Sequence, residues 1–388
     1  MKQTSSPTPY ARLRPLPGLH ALLLLILCGA SPGWGATYPL PTDGSNIVGQ
    51  LHVVIADSRN TLLDIARHYD LGYEEITVAN PGVSIWLPGE ETRVVVPTVF
   101  ILPPQPWQGL VVNIPQRRLY YFPKPEANEP AKVITFPIGI ARPGWPTPLG
   151  QTAITSKYRD PSWTVPDSIL EEHRSQGEPD FPAFFPPGPD NPLGMVAFRT
   201  GFHEILLHGT NRPWGVGMRV SHGCIRLYPE NAEDLFLQVV PGTPLRFINA
   251  PVSAGARDGL LYLGVAEPVE DYSENGSSLF RQAIEVLQPY GSQENGPDWD
   301  LDRVRLAVEA RQFVPVPVSV GAPSLDEIIA STSPGRHDFE PYGIGANRAL
   351  VPEPPRPSGA NGRADGDAED QPLDLRIDTI IPGQIPAD

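Results

Sequence analysis

Cysteine is almost missing from this 388-residue chain, which contains only Cys28 and Cys224. A disulfide framework is thereby excluded, and a chain this long can bury more than one core without it. Long apolar runs are also missing. The main one, Ala21 to Leu27, falls far short of the roughly 20 residues that a membrane-spanning helix needs. Basic residues are in deficit, 29 Lys and Arg against 44 Asp and Glu, for a formal net charge of −15. That balance argues against nucleic acid as a partner and against electrostatic docking on anionic lipid.

Proline and glycine are plentiful, at 49 and 36 residues. This composition favours loops, extended strands and linkers and excludes an all-helical fold. At the N-terminus, Lys2, Arg12 and Arg14 precede the apolar run, and small residues follow it. The pattern is that of a secretory signal peptide over residues 1–36, cleaved after Ala30 or near Ala36. Cys28 then belongs to the discarded leader, and no spanning segment remains in the mature chain. Cys224 is left as the one cysteine of an exported protein. Structural cysteines in oxidising compartments come in pairs, so a single one points to chemistry.

Past the leader, residues 49–98 read as a small unit of their own. Leu51 to Val54 alternates like a strand, and Thr61, Leu62, Ile65, Ala66 and Tyr69 repeat at helical spacing behind Asn60. A second short helix fits Tyr73 to Ala79, and Arg93 to Val96 is a β-branched strand. This strand–helix–helix–strand order resembles a LysM module, which grips N-acetylglucosamine-containing glycans, although Arg59-Asn60 stand where that family has Gly-Asp. From 109 to 252 strands dominate. Leu110 to Ile114 and Leu119 to Phe122 form a hairpin, and further strands fall at Lys132 to Ile138, Thr152 to Lys157, Met195 to Arg199, Glu204 to Leu207 and Leu245 to Ile248. Pro229 to Val239 is a helix with acids in its first turn. A proline-rich insertion from Asp160 to Pro192 suits a lid. Residues 253–313 form a small appendage with helices near Leu279 and Asp300, and 314–388 read as a proline-rich, disordered tail. The fold class is mainly β with some α: a β-sandwich-like domain behind a small βααβ module.

The most informative stretch is His208 to Leu227, HGTNRPWGVGMRVSHGCIRL. Cys224 has His222 two residues before it and His208 sixteen residues before it. A thiol acting as a nucleophile needs a base and an oxyanion site, and two histidines beside Gly223 provide the raw material. Spacing alone does not decide which histidine is the base, since His222 shares a strand face with Cys224 and His208 must approach through the fold. Ser221 lacks a nucleophile-elbow context and reads as a hydrogen-bonding group. Trp214 either shapes a pocket or packs a turn. No spacing here matches a structural zinc pattern, and neither a metal nor another cofactor is expected.

His208-Gly209-Thr210 followed by Ser221-His222-Gly223-Cys224-Ile225-Arg226-Leu227 resembles the signature of the bacterial L,D-transpeptidase catalytic domain of the YkuD type. Thr147-Pro148-Leu149-Gly150 and Asn191-Pro192-Leu193-Gly194 resemble companion motifs of that family. The resemblance implies a periplasmic enzyme acting on peptidoglycan. By it, Cys224 is the nucleophile that takes a tetrapeptide stem as a thioester, His208 is the base and the Gly209 carbonyl orients it. It further implies that His222 with the amides of Gly223 and Cys224 surrounds the oxyanion, and that Arg226 lies near substrate. The expected partners are tetrapeptide stems, glycan strands and, as one acceptor, a lysine amine of an envelope lipoprotein. Two alternatives stay open: an L,D-carboxypeptidase in which water resolves the thioester, and a peptidoglycan-binding protein whose catalytic motif is idle.

Overall fold

A computed structural model describes residues 35–127, 129–272, 278–291 and 298–336. The expected leader lies outside these residues except for Gly35 and Ala36, which belong to the fold. Gly35 N–H donates to Asp234 Oδ2 at 3.1 Å, and β1 (Ala36–Pro39) starts the main sheet.

The chain next forms β2 (His52–Ile55), α1 (Leu62–His68), α2 (Tyr73–Val78) and β3 (Arg93–Val96). Helix α1 begins where the Thr61 hydroxyl accepts the Asp64 N–H while the Asp64 carboxylate accepts the Thr61 N–H, a reciprocal cap that satisfies two of the helix's orphan donors. The region from 109 onward supplies β4 (Gly109–Asn113), β5 (Arg118–Phe122), β6 (Lys132–Pro137) and β7 (Gly150–Arg159). It continues with α3 (Asp167–Ser175), β8 (Val196–Thr200), β9 (Leu206–His208), β10 (Ile225–Arg226), α4 (Pro229–Gln238) and β11 (Pro244–Ile248). One nine-stranded sheet runs in the order β1-β6-β5-β4-β11-β7-β8-β9-β10. Its neighbours are antiparallel except for the β4–β11 and β9–β10 pairs, which are parallel.

Side-chain alternation shows how this sheet is buried. Leu110, Leu119 and Phe136, from the β4–β6 half, share one core with Phe198, Leu207 and Ile225 from the other half, so the sheet curls over its own interior. The intervening residues Val111, Tyr120, Phe122 and Val133 point to the opposite face and pack with Leu62, Ile65, Ile76 and Val94 of the small N-terminal unit. That unit is therefore fused to the sheet. A buried Arg118–Glu75 ion pair at 2.7 Å and the Tyr228 hydroxyl donating to the Leu71 carbonyl at 3.0 Å reinforce the junction.

Beyond β11, the hairpin β12 (Val252–Arg257) and β13 (Leu260–Val265) packs against α5 (Leu279–Gly291) and α6 (Leu301–Ala310) around Leu263, Leu287 and Val304. The tail expected to be disordered from Val314 is ordered as far as Arg336. Val316–Pro317 adds an edge strand to β13, Ser324 caps a helix over Leu325–Ser331, and Gly335–Arg336 pairs with β2. Proline is tolerated there because an edge strand leaves one row of ladder bonds unmade. Residues 337–388 of the expected tail lie outside the described residues.

Candidate active site

Strands β9 and β10 run side by side, with Leu207 opposite Ile225 and His208 opposite Arg226. Paired residues project to one face of a sheet and every second residue returns to it. His208, Arg226 and Cys224 accordingly share a face, with the histidine and the cysteine offset by roughly 7 Å along the strands. The sulfur is held by β9 and the turn before it: Leu206 N–H donates to Cys224 Sγ at 3.2 Å, and the thiol donates to the Glu204 carbonyl at 3.4 Å. Cys224 is 1% exposed.

The turn before the cysteine depends on Gly223, whose φ is +108°. A Cβ there would lie 2.9 Å from Ile205 Cδ1. Two buried hydroxyls pin this turn by its carbonyls. Thr147 Oγ1 donates to the Gly223 carbonyl at 2.6 Å, and Ser221 Oγ donates to the Cys224 carbonyl at 2.5 Å. The threonine of the upstream motif thus acts on the loop that carries the thiol.

His208 is fully buried. Burial, and next the Arg226 guanidinium, push its pKa from the ordinary 6.5 down to about 3, against the opposing pull of the Gly209 and Leu193 carbonyls. Those carbonyls lie near the ring without either nitrogen reaching full hydrogen-bond geometry. The ring is therefore neutral at ordinary pH, and its basicity is below that of a free imidazole. Asn191 sets the Leu193 position: its side chain accepts the Leu193 N–H at 2.9 Å and donates to the Pro161 carbonyl at 2.8 Å. Gly209 is anchored to β8 through its N–H, which donates to the Val196 carbonyl at 3.1 Å.

Arg226 is completely buried, and its backbone exchanges two hydrogen bonds with Gly139 at 2.9 and 3.0 Å. Its guanidinium acts electrostatically on His208. His222 meets the Trp145 ring edge-on with centroids 4.6 Å apart, and its Nε2 is 3.6 Å from Glu172 Oε2. Trp214 is half-buried on a single 3-10 turn, Pro213–Gly215. Cys224, His208, Arg226 and the Gly223 turn come together at one sheet edge.

Arg142, Trp145 and Glu172 were not singled out in the sequence. A cation just before the Pro143–Gly150 turn and an aromatic inside it were a weak signal for the first two. Glu172 carried none, since it sits on a short helix within a proline-rich segment and reaches the site only through the fold.

A buried thiol sharing a sheet face with a neutral imidazole defines a cysteine–histidine centre of the kind used for acyl transfer. Comparisons with known proteins narrow the class. Residues 108–247 match the family model described as YkuD, L,D-transpeptidase catalytic domain. The chain is 36% identical over 301 residues to the protein named probable L,D-transpeptidase ErfK/SrfK of Escherichia coli (strain K12), covering 76% of this chain and 95% of that one. It is 37% identical over 302 residues to probable L,D-transpeptidase YbiS of the same strain, covering 77% and 97%. Among solved structures, it aligns with L,D-transpeptidase 3 from Mycobacterium tuberculosis at 22% identity and a TM-score of 0.27, over 40% of this chain and 67% of that one. The chain belongs to the L,D-transpeptidase family and is a transpeptidase enzyme.

Proposed function

We propose that the enzyme remodels peptidoglycan through a thioester on Cys224. His208 takes the thiol proton as sulfur attacks the carbonyl of the third residue of a tetrapeptide stem. The bond to the fourth residue, D-Ala, then breaks, and the imidazolium returns its proton to the departing amine. The Gly209 carbonyl orients the ring, while His222 and the amides of Gly223 and Cys224 stabilise the oxyanion, each amide contributing roughly 3 kcal/mol. Arg226, beside His208, favours return of the proton from the imidazolium, and Ser221 fixes the Cys224 carbonyl. An amine of a second stem, giving a 3-3 cross-link, or a lysine of an envelope lipoprotein resolves the thioester. The N-terminal leader would deliver the enzyme to the periplasm, and the LysM-like unit would hold a glycan strand; Trp214 would line the donor side.

The observation that carries this reading is the parallel register of His208 with Arg226, which puts a neutral imidazole on the face of the thiol. The test is incubation of the mature protein with disaccharide tetrapeptide, followed by mass spectrometry, with Cys224→Ala as control. A second run adds a lysine-terminated peptide as acceptor. Cross-linked dimer or peptide adduct is the expected product. Tripeptide alone would convert the reading to a carboxypeptidase, sacculus binding without turnover would convert it to a binder, and equal product from Cys224→Ala would refute the thioester.

A further inference from the structure

Part of the cover over Cys224 comes from the 160–192 insertion, whose Trp163, Val165 and Ile169 pack with Leu193, Leu206 and the cysteine itself. At the edge of this cover a carboxylate from the same insertion reaches into the site. Glu172, on α3, is ion-paired with Arg142, and its second oxygen is 3.6 Å from His222 Nε2. Arg142 is held in place by its own backbone, whose N–H donates to the Ser221 carbonyl at 2.8 Å. The Arg142 guanidinium also lies 5.8 Å from the centroid of Trp145, the ring that His222 touches edge-on. Cation, indole and imidazole thus form one patch two residues from the nucleophile, and a carboxylate belonging to the chain sits on it.

A tetrapeptide stem cut at its third carbonyl carries one carboxylate at a fixed position relative to the bond that breaks. It is the terminal carboxylate of the leaving D-Ala, separated from the scissile carbonyl by a nitrogen and a Cα, or about 4 Å. Of the arginines near the site, Arg226 is completely buried and Arg219 is paired with Glu270 and Asp271, outside the covering insertion, whereas the carboxylate on Arg142 comes from that insertion. Arg142 is partly exposed and adjoins the thiol loop. We propose that Arg142 is the receptor for the terminal carboxylate of the leaving residue, and that Glu172 is a built-in stand-in which occupies it until a stem arrives. Exchange of one carboxylate for another keeps the guanidinium paired throughout, so binding avoids the cost of stranding a desolvated charge. The same exchange releases α3 and couples opening of the cover to recognition of the correct stem end. This proposal rests on the thioester reading above.

The experiment compares acylation of Cys224, followed by intact mass, for disaccharide tetrapeptide ending in a free carboxylate and for the same compound ending in a carboxamide. The proteins are the full mature chain, Arg142→Gln, Arg142→Lys and Glu172→Gln. Wild type is expected to prefer the acid by about ten- to hundredfold in kcat/KM, the range of a charge-assisted hydrogen-bonded pair. In Arg142→Gln that ratio should fall to near one through loss of rate with the acid, and Arg142→Lys should retain part of it. Glu172→Gln should keep the preference and lower KM for the acid severalfold with kcat little changed. An unchanged acid-to-amide ratio in Arg142→Gln, or a raised KM in Glu172→Gln, would overturn the proposal. If Arg142→Gln does not fold, Arg142→Lys and Glu172→Gln carry the same test. Absence of acylation in every protein, wild type included, would instead refute the thioester reading.

Discussion

The neutral state of His208 makes a quantitative prediction for stability. In the unfolded chain this histidine takes up a proton near its ordinary pKa of 6.5, whereas in the folded chain burial and Arg226 delay protonation to about pH 3. Between those values the unfolded state binds more protons, so stability is fully present above pH 6.5 and is lost as pH falls toward 3. Each pH unit inside that window costs about 1.4 kcal/mol, or about 2 kcal/mol by pH 5. Over the whole window the loss would reach on the order of 5 kcal/mol, comparable with the entire stability of a marginal domain. The substitution His208→Gln removes the titrating group, and denaturant midpoints at pH 7.5 and pH 5.0 for both proteins isolate its effect. Wild type should lose about 2 kcal/mol more than the variant between the two pH values. Parallel losses would mean that His208 is not held neutral by burial and Arg226, and would refute the reasoning from its buried environment.

Gly223→Ala places a Cβ at φ +108° against Ile205, which should cost about 1–3 kcal/mol in stability. By shifting the thiol it should slow Cys224 acylation by about a hundredfold; a variant acylated at the wild-type rate would show that the turn does not position the sulfur. Arg118→Met strands the Glu75 carboxylate in the junction beneath α2 and should destabilise the chain by about 3–5 kcal/mol in denaturant unfolding. Adding Glu75→Gln, which removes the stranded charge while keeping an acceptor for the Gly72 N–H, should recover about 1–2 kcal/mol of that loss. Strictly additive losses would count against a shared buried pair.

The mainly β class was legible because the strands of the main sheet and of the appendage are long enough to show their pattern. Lys132 to Ile138 and Leu260 to Val265 carry runs of β-branched and aromatic residues bounded by turns, and their observed limits are Lys132–Pro137 and Leu260–Val265. Helix α4 was legible from Pro229 at its first turn and the acids behind it. The ordering of 314–336 was not legible. Two-residue strands such as Val316–Pro317 and Gly335–Arg336 are too short to set up an alternation, and both exist only because a neighbouring strand offers an edge. Within the site, the sequence brought Cys224, His208 and His222 forward as chemical types but could not order the histidines. That order depends on the β9–β10 register, a long-range pairing that local spacing does not encode. Arg142 and Glu172 escaped for the same reason, being thirty residues apart in the chain and joined only after α3 docks.

The small N-terminal unit, bounded in the sequence by its strand and helix spacing, is continuous in packing with the main sheet. Strands β4 to β6 are buried on both faces: Leu110, Leu119 and Phe136 face the catalytic core, while Val111, Tyr120, Phe122 and Val133 face α1, α2 and β3. Removing residues 49–98 would expose those four large side chains at about 1.5–3 kcal/mol each, a loss that rivals the net stability of a whole domain. The unit therefore completes the catalytic fold whether or not it grips a ligand. The bidentate Arg67–Glu230 pair and the Tyr73 N–H donating to the Val216 carbonyl tie its helices to α4 and to the segment between His208 and Cys224. A glycan strand held by this unit, as proposed, would keep a fixed orientation relative to the thiol. Stem selection would then be a matter of reach from that unit, with Arg142, as proposed, checking the end that arrives.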